Sequence, residues 1–347
     1  MQCYAIVETF ANRNNCLILA KETEMSERVL ILGANGRLGR VLVAAFADAG
    51  WTVFAQARRP LAYPVAGNVR TILAAITEPH QLVAEVQGAD VVVHAMNADY
   101  TRWNTEALPL AQSAIGIARR LDATLMFAGN VYNFGSPMPV VLREDTPQRP
   151  NTRKGLIRTQ TESLLGAESA TRLRSIVIRA GDFYGGAGTG SWMDLVIAKN
   201  LAKRKIVYPG PLDLPHAWAY LPDLARTFVA VASARARCAP FETIHFAGNT
   251  LTGRQMVEAL THAARRAGLI SHSQIPTVGK LPWWAMRAGA WAVPMWRELL
   301  EMRYLWDEAQ ALDESHLVEL LEQVPRTPLD VAMDRTLEPW CDRTNRP

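Results

Sequence analysis

The strongest chemical pattern in the chain is the run Gly33, Ala34, Asn35, Gly36, Arg37, Leu38 and Gly39, three glycines at GxxGxxG spacing. In such a run the first glycine permits a tight turn. The second lets backbone approach a pyrophosphate, and the third lets the following helix pack closely on the preceding strand. The N-terminus of that helix offers free N–H groups and a partial positive charge to phosphate oxygens. A packing turn also explains a bare glycine triplet. The surroundings favour a dinucleotide: an apolar strand, Arg28 to Leu32, precedes the loop, and a helix rich in alanine and valine, Leu38 to Ala49, follows it and is stopped by Gly50.

The end of the second strand bears on which dinucleotide. NAD sites place an Asp or Glu there for the ribose 2′-hydroxyl. This chain has Gln56, Ala57, Arg58 and Arg59 instead. Arginine suits a 2′-phosphate through charge-assisted, often bidentate hydrogen bonds, and Arg37 lies within reach of the same group. A solvated arginine pair is the other explanation. The pattern predicts NADP or NADPH in preference to NAD.

These residues need a scaffold, and the apolar periodicity supplies one. After the first strand and helix come strands at Trp51–Ala55 and Val69–Leu73, a short helix at His80–Val86, and a fourth strand at Ala89–His94, strongly apolar on both faces. A helix at Glu106–Leu121, a strand at Thr124–Ala128, a helix at Gly155–Glu168 and a strand at Ser175–Arg179 complete the series. Strands alternating with helices of this length predict right-handed crossovers and a parallel sheet covered on both faces. The fold class is therefore α/β, a doubly wound parallel Rossmann sheet over residues 25–185. A smaller, mostly helical substrate lobe covers 186–347, with parts of 216–249 returning to the Rossmann domain. Residues 1–24 read as an N-terminal extension, disordered or a mis-assigned start ahead of Met25.

Composition narrows the partners. With 37 basic and 33 acidic residues among 347, the formal charge is +4. The arginines are scattered, without the basic block of a nucleic-acid binder. Cys3, Cys16, Cys238 and Cys341 are far apart and form neither a zinc motif nor a disulfide framework, so a reducing cytoplasm is expected. No uncharged apolar run reaches the length of a membrane span. The aromatic segment from Leu281 to Trp296 reads first as a helix that covers a cleft or packs on the body, and second as a membrane-surface helix.

Taken together, the chain resembles the extended short-chain dehydrogenase/reductase superfamily, the NAD-dependent epimerase/dehydratase group, from Arg28 to about Trp340. The resemblance rests on the glycine spacing, on Asp90 to Ala95, on Asn130, Val131 and Tyr132, on Arg179 to Gly185, and on Trp218 to Ala225 around Asp223. It implies a cofactor site that includes Ala95, a small-molecule substrate related to sugar nucleotides, and a homodimer formed through the helices after the fourth and fifth strands.

The resemblance also implies a Ser/Thr, Tyr and Lys triad, and here this sequence departs from the family. The Ser position falls on Ala128, the Tyr position on Lys154 and the Lys position on Arg158; no tyrosine is followed by a lysine four residues later. Three readings stay open. Lys154 could act as acid or base, with its pKa depressed by Arg158 and burial. Cofactor could bind without turnover, making the protein an NADPH-responsive regulator or scaffold. Or Lys154 and Arg158 could hold anionic groups of cofactor or substrate. Tyr132 sits where the family contacts substrate, and a packed aromatic is the equal alternative. Tyr184 and Asp182, at the C-terminal end of the sixth strand, either line the pocket or serve the structure, Asp182 then as a cap or loop former. His94 reads as a buried hydrogen-bonded histidine, and His216 as an exposed loop histidine able to reach the cleft.

Overall fold

A computed structural model describes residues 26–344, with 87, 172 and 189 excepted; the expected extension over 1–24 lies outside the described residues. The first half runs β1 (Arg28–Leu32), α1 (Arg37–Asp48), β2 (Thr52–Ala57), β3 (Val69–Leu73), α2 (Pro79–Glu85), β4 (Val91–His94), α3 (Trp103–Leu121) and β5 (Thr124–Gly129). Then come β6 (Val141–Leu142), α4 (Arg153–Ser169), β7 (Ser175–Ala180), β8 (Asp182–Tyr184), β9 (Lys205–Tyr208), β10 (Pro215–Tyr220), α5 (Leu221–Ala234) and β11 (Phe241–Phe246). The chain closes with β12 (Asn249–Thr252), α6 (Gly253–Arg266), β13 (Thr277–Lys280), α7 (Trp283–Gly289), α8 (Pro294–Glu301), α9 (Tyr304–Asp307), β14 (Ala311–Leu312), α10 (Ser315–Leu321) and α11 (Leu329–Thr344).

Seven strands form the central sheet in the order β11-β7-β5-β4-β1-β2-β3, all parallel. Central strands of such a sheet are covered on both faces, which is why β1, β4 and β7 are runs of Val, Ile and Leu rather than alternating patterns. One face packs on α1 and α5 through Leu42, Phe46, Leu224 and Phe228. The other packs on α2, α3 and α4 through Leu82, Ile117 and Leu165. From β1 the chain winds outward to β2 and β3, then returns to lay β4 on the other side of β1. The crevice at the C-terminal ends of β1 and β4 is therefore the switch point where open α/β sheets bind ligands.

A buried polar network fixes α4 over β5 and β7. Arg179 Nε and Nη2 donate to Glu162 Oε1 and Oε2 at 3.1 and 2.6 Å. Arg179 Nη1 lies 3.1 Å from His245 Nε2, and His245 Nδ1 lies 3.2 Å from the Leu142 carbonyl. Sequence separations of 17 and 66 residues are closed by this cluster, which sets the height of α4 above the sheet. A further apolar core around Trp218, Trp306, Tyr208, Met256 and Met333 holds the region beyond β8 together.

Candidate functional site

The glycine loop follows β1 directly. Gly33 adopts φ +88, and a Cβ there would lie 2.8 Å from Met96 Cγ. A Cβ on Gly39 would lie 2.2 Å from the Gly33 carbonyl oxygen, so the helix can approach the turn only without one. Gly36 is different: its Cβ would meet only the carbonyl oxygens of Gly33, at 3.2 Å, and Ala95, at 3.7 Å. That side is an open cradle between the loop and the end of β4. Helix α1 starts from it with no side-chain cap on its first turn, and Leu38 and Ala95 are buried beside it. Uncapped N–H groups over a space that a side chain would fill are the arrangement a pyrophosphate needs.

Asn35 ties the loop to the segment after β2, donating to the carbonyls of Arg59 and Pro60 at 3.0 and 3.1 Å. Arg58 and Arg59 are exposed next to that tie. Gln56, at the end of β2, accepts from the Gly33 N–H at 3.0 Å and donates to the Ala74 carbonyl at 2.6 Å. Its side chain is committed to holding the turn. Arg37 points the other way. Its guanidinium pairs with Asp194 at 3.0 Å and donates to the Gly185 carbonyl at 2.9 Å, and burial lowers its pKa against the opposing pull of Asp194.

At the triad positions the structure separates the two cations. Lys154 is 0% exposed. Its Nζ pairs with Glu298 and, at 3.1 Å, with Glu301, and it sits 4.5 Å above the Tyr100 ring. Arg153 joins the cluster at 3.1 Å from Glu298 and 3.0 Å from Glu301. Both carboxylates belong to α8, so Lys154 and Arg153 clamp α4 to α8, and the anionic partners of Lys154 are the chain's own. Coulombic attraction to Lys154 and hydrogen bonds from it hold the Glu301 carboxyl below its usual range, against the opposing effect of burial.

Arg158 lies one turn further along α4, stacked 4.8 Å from the Trp103 ring and 5.1 Å from that of Phe127. It donates to the Ala128 carbonyl at 3.4 Å, and with His94, Asn97 and Phe127 it lines a small cavity below the end of β4. His94 is buried, as expected, but its Nε2 has no hydrogen-bond partner among the described residues. Burial and the neighbouring Arg158 push its pKa down to about 4.

Tyr132 packs against Trp103, one of the residues that line this cavity. The Tyr100 ring lies beside it, both packing against Trp103 with centroids 6.2 and 6.0 Å from the indole, and the Tyr304 hydroxyl donates to the Tyr132 backbone carbonyl at 3.4 Å. Burial, then the Asp182 carboxylate, pushes the Tyr132 phenol up to about 12, while Tyr100 and Arg158 act in the opposite direction. Tyr100 itself is raised well above its ordinary value, mainly by burial. Sequence reading did not single out Tyr100, which lies in a short turn before α3 and carries no local motif.

Two expectations are corrected. His216 is not an exposed loop residue: it is 3% exposed on β10, where Pro215 is tolerated as the first strand residue. Asp182 is neither cap nor loop. It lies on β8 opposite Trp218, and its carboxylate is 2.8 Å from His216 Nε2. Gln310 Nε2 stands 3.1 Å from His216 Nδ1, and Trp306 stacks on the imidazole at 4.3 Å. Asp182 and His216 thus form a pair, and the Asp182 carboxylate raises the pKa of both Tyr100 and Tyr132 after the larger effect of burial.

Residues 29–245 match the NAD dependent epimerase/dehydratase family. A dTDP-6-deoxy-L-talose 4-dehydrogenase (NAD(P)(+)) of Kitasatospora kifunensis is 29% identical over 267 residues, which span 72% of this chain and 80% of that protein. A UDP-glucose 4-epimerase of Azospirillum brasilense is 29% identical over 177 residues, 46% of this chain and 50% of that one. Among solved structures, MoeE5 in complex with UDP-glucose and NAD superposes with a TM-score of 0.69 at 19% identity, covering 92% of this chain and 100% of that one. A UDP-glucose 4-epimerase structure gives 0.70 at 15% identity, covering 92% and 99%. At such identities the structural likeness concerns the fold alone.

Proposed function

The chain belongs to the NAD-dependent epimerase/dehydratase family, and from that premise we propose that it is an NADP(H)-dependent oxidoreductase or epimerase-like enzyme acting at a carbonyl or alcohol carbon of a sugar nucleotide. The substrate class rests on the names of the relatives, which act on dTDP- and UDP-linked sugars. The cofactor would lie on Gly33, Gly36 and Gly39, with Asn35, Leu38 and Ala95 shaping the cradle. The preference for NADP rests on the exposed Arg58 and Arg59 and on the absence of a carboxylate at the end of β2. When bound, the cofactor supplies or accepts the hydride.

The observation that carries a chemical role is the gathering of Tyr100, Tyr132 and Arg158 around Trp103: both phenol rings pack against the indole, and the guanidinium stacks on it at 4.8 Å. In this reading Tyr132 holds or releases the proton at the reacting oxygen. Tyr100 donates to the phenolate as it forms, and the Arg158 guanidinium lowers the energy of that negative charge in place of the family's lysine. Arg keeps its charge but spreads it over a plane, so it stabilises charge without copying lysine's compact contact with a ribose. Lys154 is a positioning residue that holds α4 and α8 in register. The test is NADPH oxidation, or its reverse, with a panel of nucleotide-linked hexoses and their keto forms. Turnover that collapses in Tyr132→Phe supports the role.

A second reading draws on the same replacement. Because the family's proton-donor position holds an ion-paired lysine, a cofactor-binding regulator without turnover is the other outcome. Tight NADPH binding with no reaction on any member of the panel would favour it.

A further inference from the structure

The aromatic segment from Leu281 to Trp296 divides in the structure. Trp283 is buried and its Nε1 donates to the Pro209 carbonyl at 2.8 Å. Trp296 closes the α7–α8 hairpin: a Cβ on Gly289 would lie 2.4 Å from its ring. Trp284 and Trp291 do neither. They are 79% and 88% exposed, the first on the outer face of α7 and the second in the turn that follows it, and Met295 at the start of α8 is exposed with them. Packing of the fold therefore accounts for two of the four tryptophans and leaves two in water.

Along the sequence from α6 to α8 the charges that flank them have one sign. From Glu258 to Glu298 the chain contains no acidic residue between those two, while Lys280, Arg287 and Arg297 are all exposed along the hairpin. Trp284, Arg287 and Ala288 share the outer face of α7, opposite the buried Trp283 and Met286. Indole rings that present an apolar body and a polar N–H prefer the boundary between lipid headgroups and acyl chains. Lysine and arginine beside them meet anionic headgroups while their stems lie along apolar surface.

We propose that the α7–α8 hairpin is a peripheral docking surface for an anionic lipid bilayer, with Trp284 and Trp291 inserted at the interface and Lys280, Arg287 and Arg297 facing lipid phosphates. The surface lies in the plane of the membrane. Among the described residues no helix is long and apolar enough to cross one. Glu298 and Glu301, on the same α8, pair with Lys154, and Arg297 Nε lies 3.7 Å from Glu298, so the docking face adjoins the clamp between α4 and α8.

The test is co-sedimentation of the full chain with phosphatidylcholine vesicles and with vesicles in which about one-third of the lipid is phosphatidylglycerol. Lipids brominated along the acyl chain serve as quenchers of tryptophan emission. The expected result is binding to the anionic vesicles roughly tenfold or more above that to phosphatidylcholine, weakened by salt, with quenching. Trp284→Ser/Trp291→Ser should remove most of the binding and the quenching, while Arg287→Glu/Arg297→Glu should remove the preference for anionic lipid. Both variants should keep the wild-type melting temperature and NADPH affinity. Absence of binding, or binding unchanged in the tryptophan variant, overturns the proposal. So does light scattering that shows a dimer of the wild type, dissociated by the tryptophan substitutions, with no affinity for vesicles; the hairpin would then bind a second copy of the chain.

Discussion

Lys154 Nζ lies 3.1 Å from Glu301 Oε2, joining residues 147 apart in sequence across the cleft between the sheet and α8. The same ammonium pairs with Glu298, which is 4% exposed. Taking one partner from a buried pair leaves an uncompensated charge, a far larger cost than losing a surface ion pair. We expect Glu298→Ala to destabilise the fold by roughly 3 kcal/mol, the low end for a buried pair because Glu301 remains. In Glu298→Ala/Lys154→Met part of that loss should return. Denaturant unfolding of the two single variants and the double variant checks this, and additive losses would mean the pair is not coupled.

The proton role of Tyr132 has a kinetic signature. We expect Tyr132→Phe to lower kcat by about 10²-fold or more while the affinity for NADPH stays within a factor of two or so, since general acid–base groups act in the transition state. Tyr100→Phe should lower kcat less, because it acts through Tyr132. Steady-state rates and a cofactor titration on each variant separate the two effects.

Cofactor preference tests the arginine pair. Arg58→Ala should weaken NADPH by roughly 1.5–3 kcal/mol, the range for a hydrogen bond to a charged group, and leave NADH almost unchanged. Equal losses for both nucleotides would remove Arg58 from the 2′-phosphate site.

Two buried histidines make the fold sensitive to acid. Burial, then Arg158, brings His94 to about 4, and burial, then Arg179, brings His245 to about 3. Their folded values are depressed, so the unfolded chain takes up protons first as pH falls through about 6.5. Stability is therefore full above that pH and is lost as pH drops toward 4, by roughly 2 kcal/mol per histidine at pH 5. Melting curves from pH 7 to pH 5 measure the slope, and His94→Leu should flatten its share. An unchanged slope would show that His94 is not the group taking up the proton.

The scaffold was readable because local rules and the global fold agree. The strand at Arg28–Leu32 is the one the apolar run indicates, and α4, expected at Gly155–Glu168, runs from Arg153 to Ser169. Helix α3 starts at Trp103 rather than Glu106 and takes Pro109 within its first two turns, a start that the proline obscures in the sequence. The site was less readable because its geometry depends on distant pairs. Nothing near Lys154 announces Glu298 and Glu301, and nothing near Tyr100 announces Tyr132. His216 looked exposed because Pro215 and the preceding prolines suggested a loop, and only its pairing through β10 with Asp182 buries it.

The measurement that bears most directly on the account is calorimetric titration of the full chain and of Gly36→Ala with NADPH and NADH. A Cβ at Gly36 meets only two carbonyl oxygens, the tighter at 3.2 Å, so the variant should fold after a shift of a few tenths of an ångström at the Gly33 carbonyl while filling the cradle, and its melting curve checks that it does. The wild type should bind NADPH at least about tenfold more tightly than NADH, a difference of roughly 1.4 kcal/mol or more, and Gly36→Ala should lose most of both affinities. Failure of the wild type to bind either nucleotide, or equal binding by the variant, would contradict the proposed cofactor site.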